Sequence, residues 1–240
     1  MRIRTAILTI TAFLASVSLS AAKSGYSLKK GGTPDAHKWA SSHFAKGVEP
    51  PFSFELDGVP SGKFIKKWRF SSTRNADGST DCIWQDPATG LQAICKVEVH
   101  SDFDEVQWTL RLRNAGKADS PRISSVKAAS LMIAPVKGSG GFILNHINGS
   151  LAAADDFAPH YDILEEGSEV SFGPIDGRSS SGPFPFFNIL SGQDGNEGVV
   201  MSVGWSGHWK AGFLCVGEPG RERLSVKAGP GRFNAYLKPG

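Results

Sequence analysis

The sequence predicts an all-β fold, a large antiparallel two-sheet β-sandwich. Three observations point there: many short segments alternate apolar with polar residues, Gly- and Pro-containing turns separate nearly all of them, and strand-like and helix-like segments do not alternate as in βα units. The 240 residues include 28 glycines and 14 prolines, which disfavour a long helical bundle. With 40% hydrophobic and 20% charged residues, the composition excludes a disordered, collagen-like or multi-span membrane chain.

Residues 1–22 combine a basic start (Arg2, Arg4), an apolar stretch from Ala6 to Val17, and small residues at Ser18, Ser20, Ala21 and Ala22. This is the three-part pattern of a secretory signal peptide, with cleavage expected near Ala22. The apolar stretch is shorter than the ~20 residues that a spanning helix needs. The mature chain is therefore expected to be secreted or periplasmic, with no membrane association after cleavage. Residues 23–50 read as a polar N-terminal arm, broken by Gly31-Gly32 and Pro34, with one short helical turn around His37 to Phe44. Residues 51–240 form the sandwich domain.

Within that domain Phe52, Phe54 and Leu56 alternate with polar partners before the Asp57-Gly58 turn. The clearest strand places Val106, Trp108, Leu110 and Leu112 on one face and Gln107, Thr109, Arg111 and Arg113 on the other. Further strands are expected at Asp81 to Trp84, Leu91 to His100, Ser125 to Ala134, Gly141 to Ile147, Glu169 to Phe172, Phe186 to Leu190, Gly198 to Gly204, Lys210 to Val216, Leu224 to Ala228 and Phe233 to Lys238.

The net charge is +3, and without Arg2 and Arg4 it becomes +1, from 24 basic and 23 acidic side chains. No basic run exceeds a pair, so nothing favours nucleic acid as a partner. Of three cysteines, Cys82 and Cys95 flank the turn Asp86-Pro87-Ala88-Thr89-Gly90, and a symmetric register would set them opposite each other for a disulfide. Three buried reduced thiols are the other reading. No CxxC or HxxxH spacing occurs, so neither a metal nor another cofactor is expected.

Polar and aromatic residues concentrate in the loops between Asn145 and Trp209. Asp155, Asp156, Arg178, Asn188, Trp205, His208 and Trp209 supply the mixture of ring faces and hydrogen-bonding groups that sugar recognition uses. Each has a plainer reading. Trp205 and Trp209 can be packing anchors, Arg178 a loop tie, and His146 or His208 a hydrogen-bonded structural residue. Asp155 and Asp156 are adjacent, and in an extended segment they point to opposite sides, which suits them poorly to work together as acid and base. Asn148-Gly149-Ser150 fits the N-glycosylation pattern.

The ordered set Asp155-Asp156-Phe157-Ala158-Pro159, Gly177-Arg178-Ser179-Ser180, Pro185-Phe186-Phe187-Asn188 and Gly204-Trp205-Ser206-Gly207-His208-Trp209 resembles the N-terminal domain of glycoside hydrolase family 36, the α-galactosidase family. Trp84 to Leu91 and Trp108 to Gly116 resemble that domain's hairpin and following strand, and the likeness spans Pro51 to Gly240. The chain departs from the commoner pattern near Ser180 to Pro183 and at His208. The resemblance implies a supersandwich of the galactose-mutarotase-like kind. It also implies a catalytic (β/α)8 barrel as partner, beginning where Gly240 falls and carrying both catalytic aspartates, so that this chain alone is expected to be inactive. Asp155, Asp156, Arg178, Asn188, Trp205 and Trp209 would shape the rim of the sugar pocket or buttress the interface, and α-galactosides or other carbohydrates would be the ligands. Without its barrel the domain is expected to expose an apolar surface and self-associate. A free-standing carbohydrate-binding sandwich is the alternative, and a mutarotase- or lyase-like enzyme with His146 or His208 as general base is a third reading.

Overall fold

The computed structural model describes residues 2–3, 6–18, 35–134, 141–191, 197–218 and 220–240. It is a β-sandwich, mostly strand, with every strand pairing antiparallel except the short one between Arg2–Ile3 and Asn234–Leu237. In chain-order numbering, one layer is a nine-stranded sheet. Its order is Pro159–Leu164 (β12), Phe142–Asn148 (β11), Pro183–Ser191 (β14), Glu197–Ser202 (β15), Ala6–Ser18 (β2), Glu105–Asn114 (β8), Leu91–His100 (β7), Thr80–Gln85 (β6) and Arg69–Arg74 (β5). A four-stranded sheet faces it, made of Ala129–Ile133 (β10), Arg223–Pro230 (β17), Trp209–Val216 (β16) and Glu169–Phe172 (β13). The third sheet has five strands: Arg2–Ile3 (β1), Asn234–Leu237 (β18), Ile123–Lys127 (β9), Ser53–Leu56 (β3) and Val59–Pro60 (β4).

Period-two writing sets the inner face. Leu91, Ala93, Cys95 and Val97 of β7 and Val106, Trp108, Leu110 and Leu112 of β8 are all buried, while the residues between them stay partly or fully exposed. Across the sandwich Phe187 of β14 meets Phe213 of β16 at 4.9 Å and Phe172 of β13 at 5.3 Å between ring centroids. At the other end Phe52 packs edge-on against Trp84 at 5.2 Å. The expected strand Ser125 to Ala134 divides in two. Ser125 takes a φ of 49°, and after Ala128 the chain passes from the five-stranded to the four-stranded sheet. Within the sandwich domain β5, which is almost wholly polar, β12, which begins at a proline, and the two-residue β4 were not expected.

The N-terminal arm is less peripheral than its composition implied. Asp35–His43 forms a helix (α1), and Ala36, Ala40 and Phe44, one helical turn apart, are buried against the β7–β8 face. Trp39 approaches Trp108 at 5.8 Å, and Ala36 N–H donates to Asp104 Oδ1 at 2.8 Å. The apolar segment expected to leave as a signal peptide forms β2 in the middle of the nine-stranded sheet. The expected cleavage point at Ala22 and residues 23–34 of the arm lie outside the described residues. No helix among the described residues is long and apolar enough to cross a membrane.

Candidate functional site

At one end of the sandwich, two loops close over the mouth between β11 and β13. The first, residues 149–158, holds its shape through its own carboxylate: Asp156 accepts from Ser150 Oγ at 2.7 Å and from Leu151 N–H at 2.9 Å. These donors hold the Asp156 carboxyl below the usual range. Asp155 is exposed, and Asn148 Nδ2 donates both to its carbonyl and to its Oδ2, at 3.1 and 3.2 Å. The second loop, residues 174–182, is turned by Asp176, which accepts from Arg178 N–H at 2.8 Å and Arg178 Nη2 at 3.1 Å. Together these Arg178 bonds hold the Asp176 carboxyl low.

The loops are stitched to each other by backbone. Gly149 N–H donates to Gly182 O, and Ser150 N–H donates to Ser180 O at 2.8 Å. The approach is close enough that a Cβ on Gly149 would overlap the Ser180 carbonyl oxygen. Beneath them lies a hollow of ≈ 280 Å³ lined by Asp155, Asp156, Asn148, His146, Phe172 and Ile175 among others. His146 Nε2 lies 3.2 Å from Asp162 Oδ2, and its ring stacks on His160 at 5.4 Å and lies tilted to Phe172 at 4.6 Å. Burial lowers the His146 pKa, opposed by the Asp162 carboxylate. Among the described residues no three His, Cys, Asp or Glu side chains gather as a metal site would require.

Of the residues singled out from sequence, Asp155 and Asp156 reach this hollow, and Arg178 belongs to the loop above it. Trp209 is fully buried, with its Nε1 donating to Ser179 O at 2.7 Å and its ring edge-on to Phe187 at 6.0 Å. It therefore anchors the second loop and offers no face to a ligand. Trp205 is half-buried against the core, and His208 is exposed beside Gly231, outside the hollow. Cys82 and Cys95 do stand directly opposite, as the turn predicted, yet both thiols are free, with Cys82 Sγ 3.9 Å from Phe44 O. Burial pushes the Cys82 thiol up to about 11 and raises the Cys95 thiol well above its ordinary value.

Asn188 sits elsewhere, on the outer face of the nine-stranded sheet. That face has two characters. Over β8, β7 and β6 it carries Gln107, Thr109, Arg111, Gln92, Lys96 and Gln85 around one half-buried apolar pair, Ile83 and Ile94. Over β12, β11 and β14 it carries Tyr161 and Ile163, 68% and 63% exposed, with Ile143, Leu190 and Phe186 beside them. Asn145 and Asn188 pair across the middle of this apolar half, where Asn145 Nδ2 lies 3.5 Å from Asn188 O, and Asn188 Oδ1 meets no donor among the described residues. Sequence reading missed this patch, and missed the His146–Asp162 pair, because both exist only once β11, β12 and β14 are in register. Compared with known proteins, the chain matches no family model and no curated sequence.

Proposed function

We propose that this chain is the exported accessory β-sandwich of an α-galactosidase-like glycoside hydrolase, whose catalytic (β/α)8 barrel seats on the apolar half of the outer sheet face. The single observation that carries the reading is the division of that face. Over β6–β8 the apolar side chains, Ile83 and Ile94, are half-buried among polar neighbours, whereas over β11, β12 and β14 Tyr161 and Ile163 stand more than half exposed on an edge strand. A sheet face written this way seeks a partner. The loops that carry Asp155, Asp156 and Arg178 stand at the end of the same strands, where they would border a sugar bound by the barrel. Asp156 does not fit the acid of a retaining pair, since such an acid needs a raised pKa and its carboxyl is held low.

Sedimentation velocity tests the docking face. The isolated chain should self-associate with rising concentration, and Tyr161→Lys with Ile163→Lys should return it to monomer; a parent that stays monomeric at every concentration removes the proposal. A second reading, a free-standing carbohydrate-binding module, draws on the hollow beneath Asp155 and Asp156. Calorimetry with galactose and melibiose separates the two: no heat of binding is expected from the isolated chain, and measurable binding would favour the module.

A further inference from the structure

The strand that the sequence marks for removal fills an interior position. β2 is antiparallel to both neighbours, from Ala6 opposite Leu112 to Ala15 opposite Glu105 on one side, and from Ala15 opposite Val200 to Ser18 opposite Glu197 on the other. β8 and β15 therefore run parallel to each other, one strand apart. Loss of β2 would leave a lane between two unpaired edges, and closing it directly would shift two half-sheets by about 4.8 Å. Trp108 and Leu110 on one side of the lane and Phe187 and Met201 on the other are buried in a packed core that resists such a shift.

The register shows which backbone groups line that lane. Ala115 N–H donates to Gly90 O at 3.2 Å, so the neighbouring pair Leu91–Asn114 is of the type that exchanges no hydrogen bonds with itself. The backbone N–H and C=O of Asn114 thus point away from β7 and into the lane, and by the two-residue period so do those of Leu112, Leu110, Trp108 and Val106. Gly240 occupies the lane's mouth: its N–H donates to Asn114 O at 3.2 Å, and its carbonyl accepts from Arg113 Nε at 3.1 Å. A chain entering beside Gly240 would run in the same direction as β2.

We propose that, once the N-terminal segment has been removed, the lane between β8 and β15 receives an extended strand of the catalytic partner, entering beside Gly240 and running antiparallel to both edges. The identity of the partner rests on the proposed function; the lane rests on the sheet order and on removal of residues 1–22. The lane borders the half of the outer face that exposes Tyr161, Ile163 and Phe186, so a strand placed there would continue the docking surface. Main-chain pairing would supply affinity, and apolar side chains at alternate positions would complete the core beside Trp108 and Met201.

A strand transplant tests this. The chain without residues 1–22 is compared with the same chain carrying residues 5–18 joined directly after Gly240, a register that sets Ala6 again opposite Leu112. Hydrogen–deuterium exchange at Val106, Trp108, Leu110 and Leu112 is the readout. The transplant should slow these amides at least ~10-fold and leave a monomer, even where the shortened chain alone is unstable. Equal exchange in the two chains overturns the proposal. So does full protection of these amides in the shortened chain, whether in a dilution-insensitive monomer, which would mean the lane closes, or only at high concentration, which would mean a second copy fills it. An exported protein whose intact mass retains residues 1–22 overturns it too. Sugar binding by the isolated chain would remove the barrel as strand donor without altering the exchange result, which keeps the two failures apart.

Discussion

Gly149→Ala asks whether the two loops over the hollow are one unit. The added methyl would overlap the Ser180 carbonyl oxygen and lie 2.6 Å from its carbon and 2.9 Å from Gly182 O. All three atoms belong to backbone, so no side chain can rotate aside. Gly149 has an ordinary φ, so alanine brings no conformational strain and the whole effect comes from contact. Relief requires the loops to separate, which breaks the Gly149–Gly182 bond and the 2.8 Å bond from Ser150 N–H to Ser180 O. Two hydrogen bonds at about 1 kcal/mol each, plus lost packing beneath them, amount to about 2–4 kcal/mol. In a domain of this size that lowers Tm by about 5–15 °C. Scanning calorimetry measures it, and exchange across residues 174–182 locates it. Gly177→Ala is the control: nothing lies within 4 Å of its Cβ position and its φ is ordinary, so its stability should hold or rise. Should Gly149→Ala melt with the parent, the loops are not coupled and the hollow has no fixed roof.

Trp209→Phe keeps a ring beside Phe187 but loses the bond to Ser179 O, and should destabilise by about 1–3 kcal/mol, as calorimetry would read; an unchanged Tm would deny the anchor. His146 is neutral in the fold further down in pH than in the unfolded chain, so unfolding takes up a proton just below the ordinary histidine pKa and stability should fall as pH drops through that window. His146→Gln should flatten this slope in Tm between pH 7.5 and 5, and an unaltered slope would assign it to other groups. Denatured, unreduced protein should titrate three thiols, and a count of one would mean that Cys82 and Cys95 are bridged.

The architecture was legible wherever a strand has one wet and one dry face. β7 and β8 announce themselves because their alternate residues see water and core in turn. β5 and β12 do not, for they lie at the two edges of the nine-stranded sheet, where exposure lets polar residues and a proline stand in a strand. The helix signal in the arm lay in the spacing of Ala36, Ala40 and Phe44, but two alanines make a faint apolar stripe. At the site, the loop pieces came from sequence, whereas their contacts did not. That Trp209 is an anchor, or that His146 meets Asp162, depends on strand order and register across distant segments.

The chemistry open to the hollow follows from how its carboxylates are held. Asp155 and Asp156 are neighbours in sequence, yet their Oδ atoms are engaged separately, one by Asn148 and the other by Ser150 and Leu151. The donors on Asp156 stabilise its charged form, and both groups accept hydrogen bonds. A sugar hydroxyl could donate to either; Asp156, held as a carboxylate, is a poor acid toward a departing glycosidic oxygen. His146 is the one group here whose pKa moves toward neutrality of charge, and its near nitrogen is turned to Asp162. Asp162→Asn should therefore lower the His146 pKa further, because the opposing carboxylate charge is removed while burial stays, and NMR titration of the ring would read the shift. An upward move would show that the ring is governed by some other group and that the Asp162 contact does not form in solution.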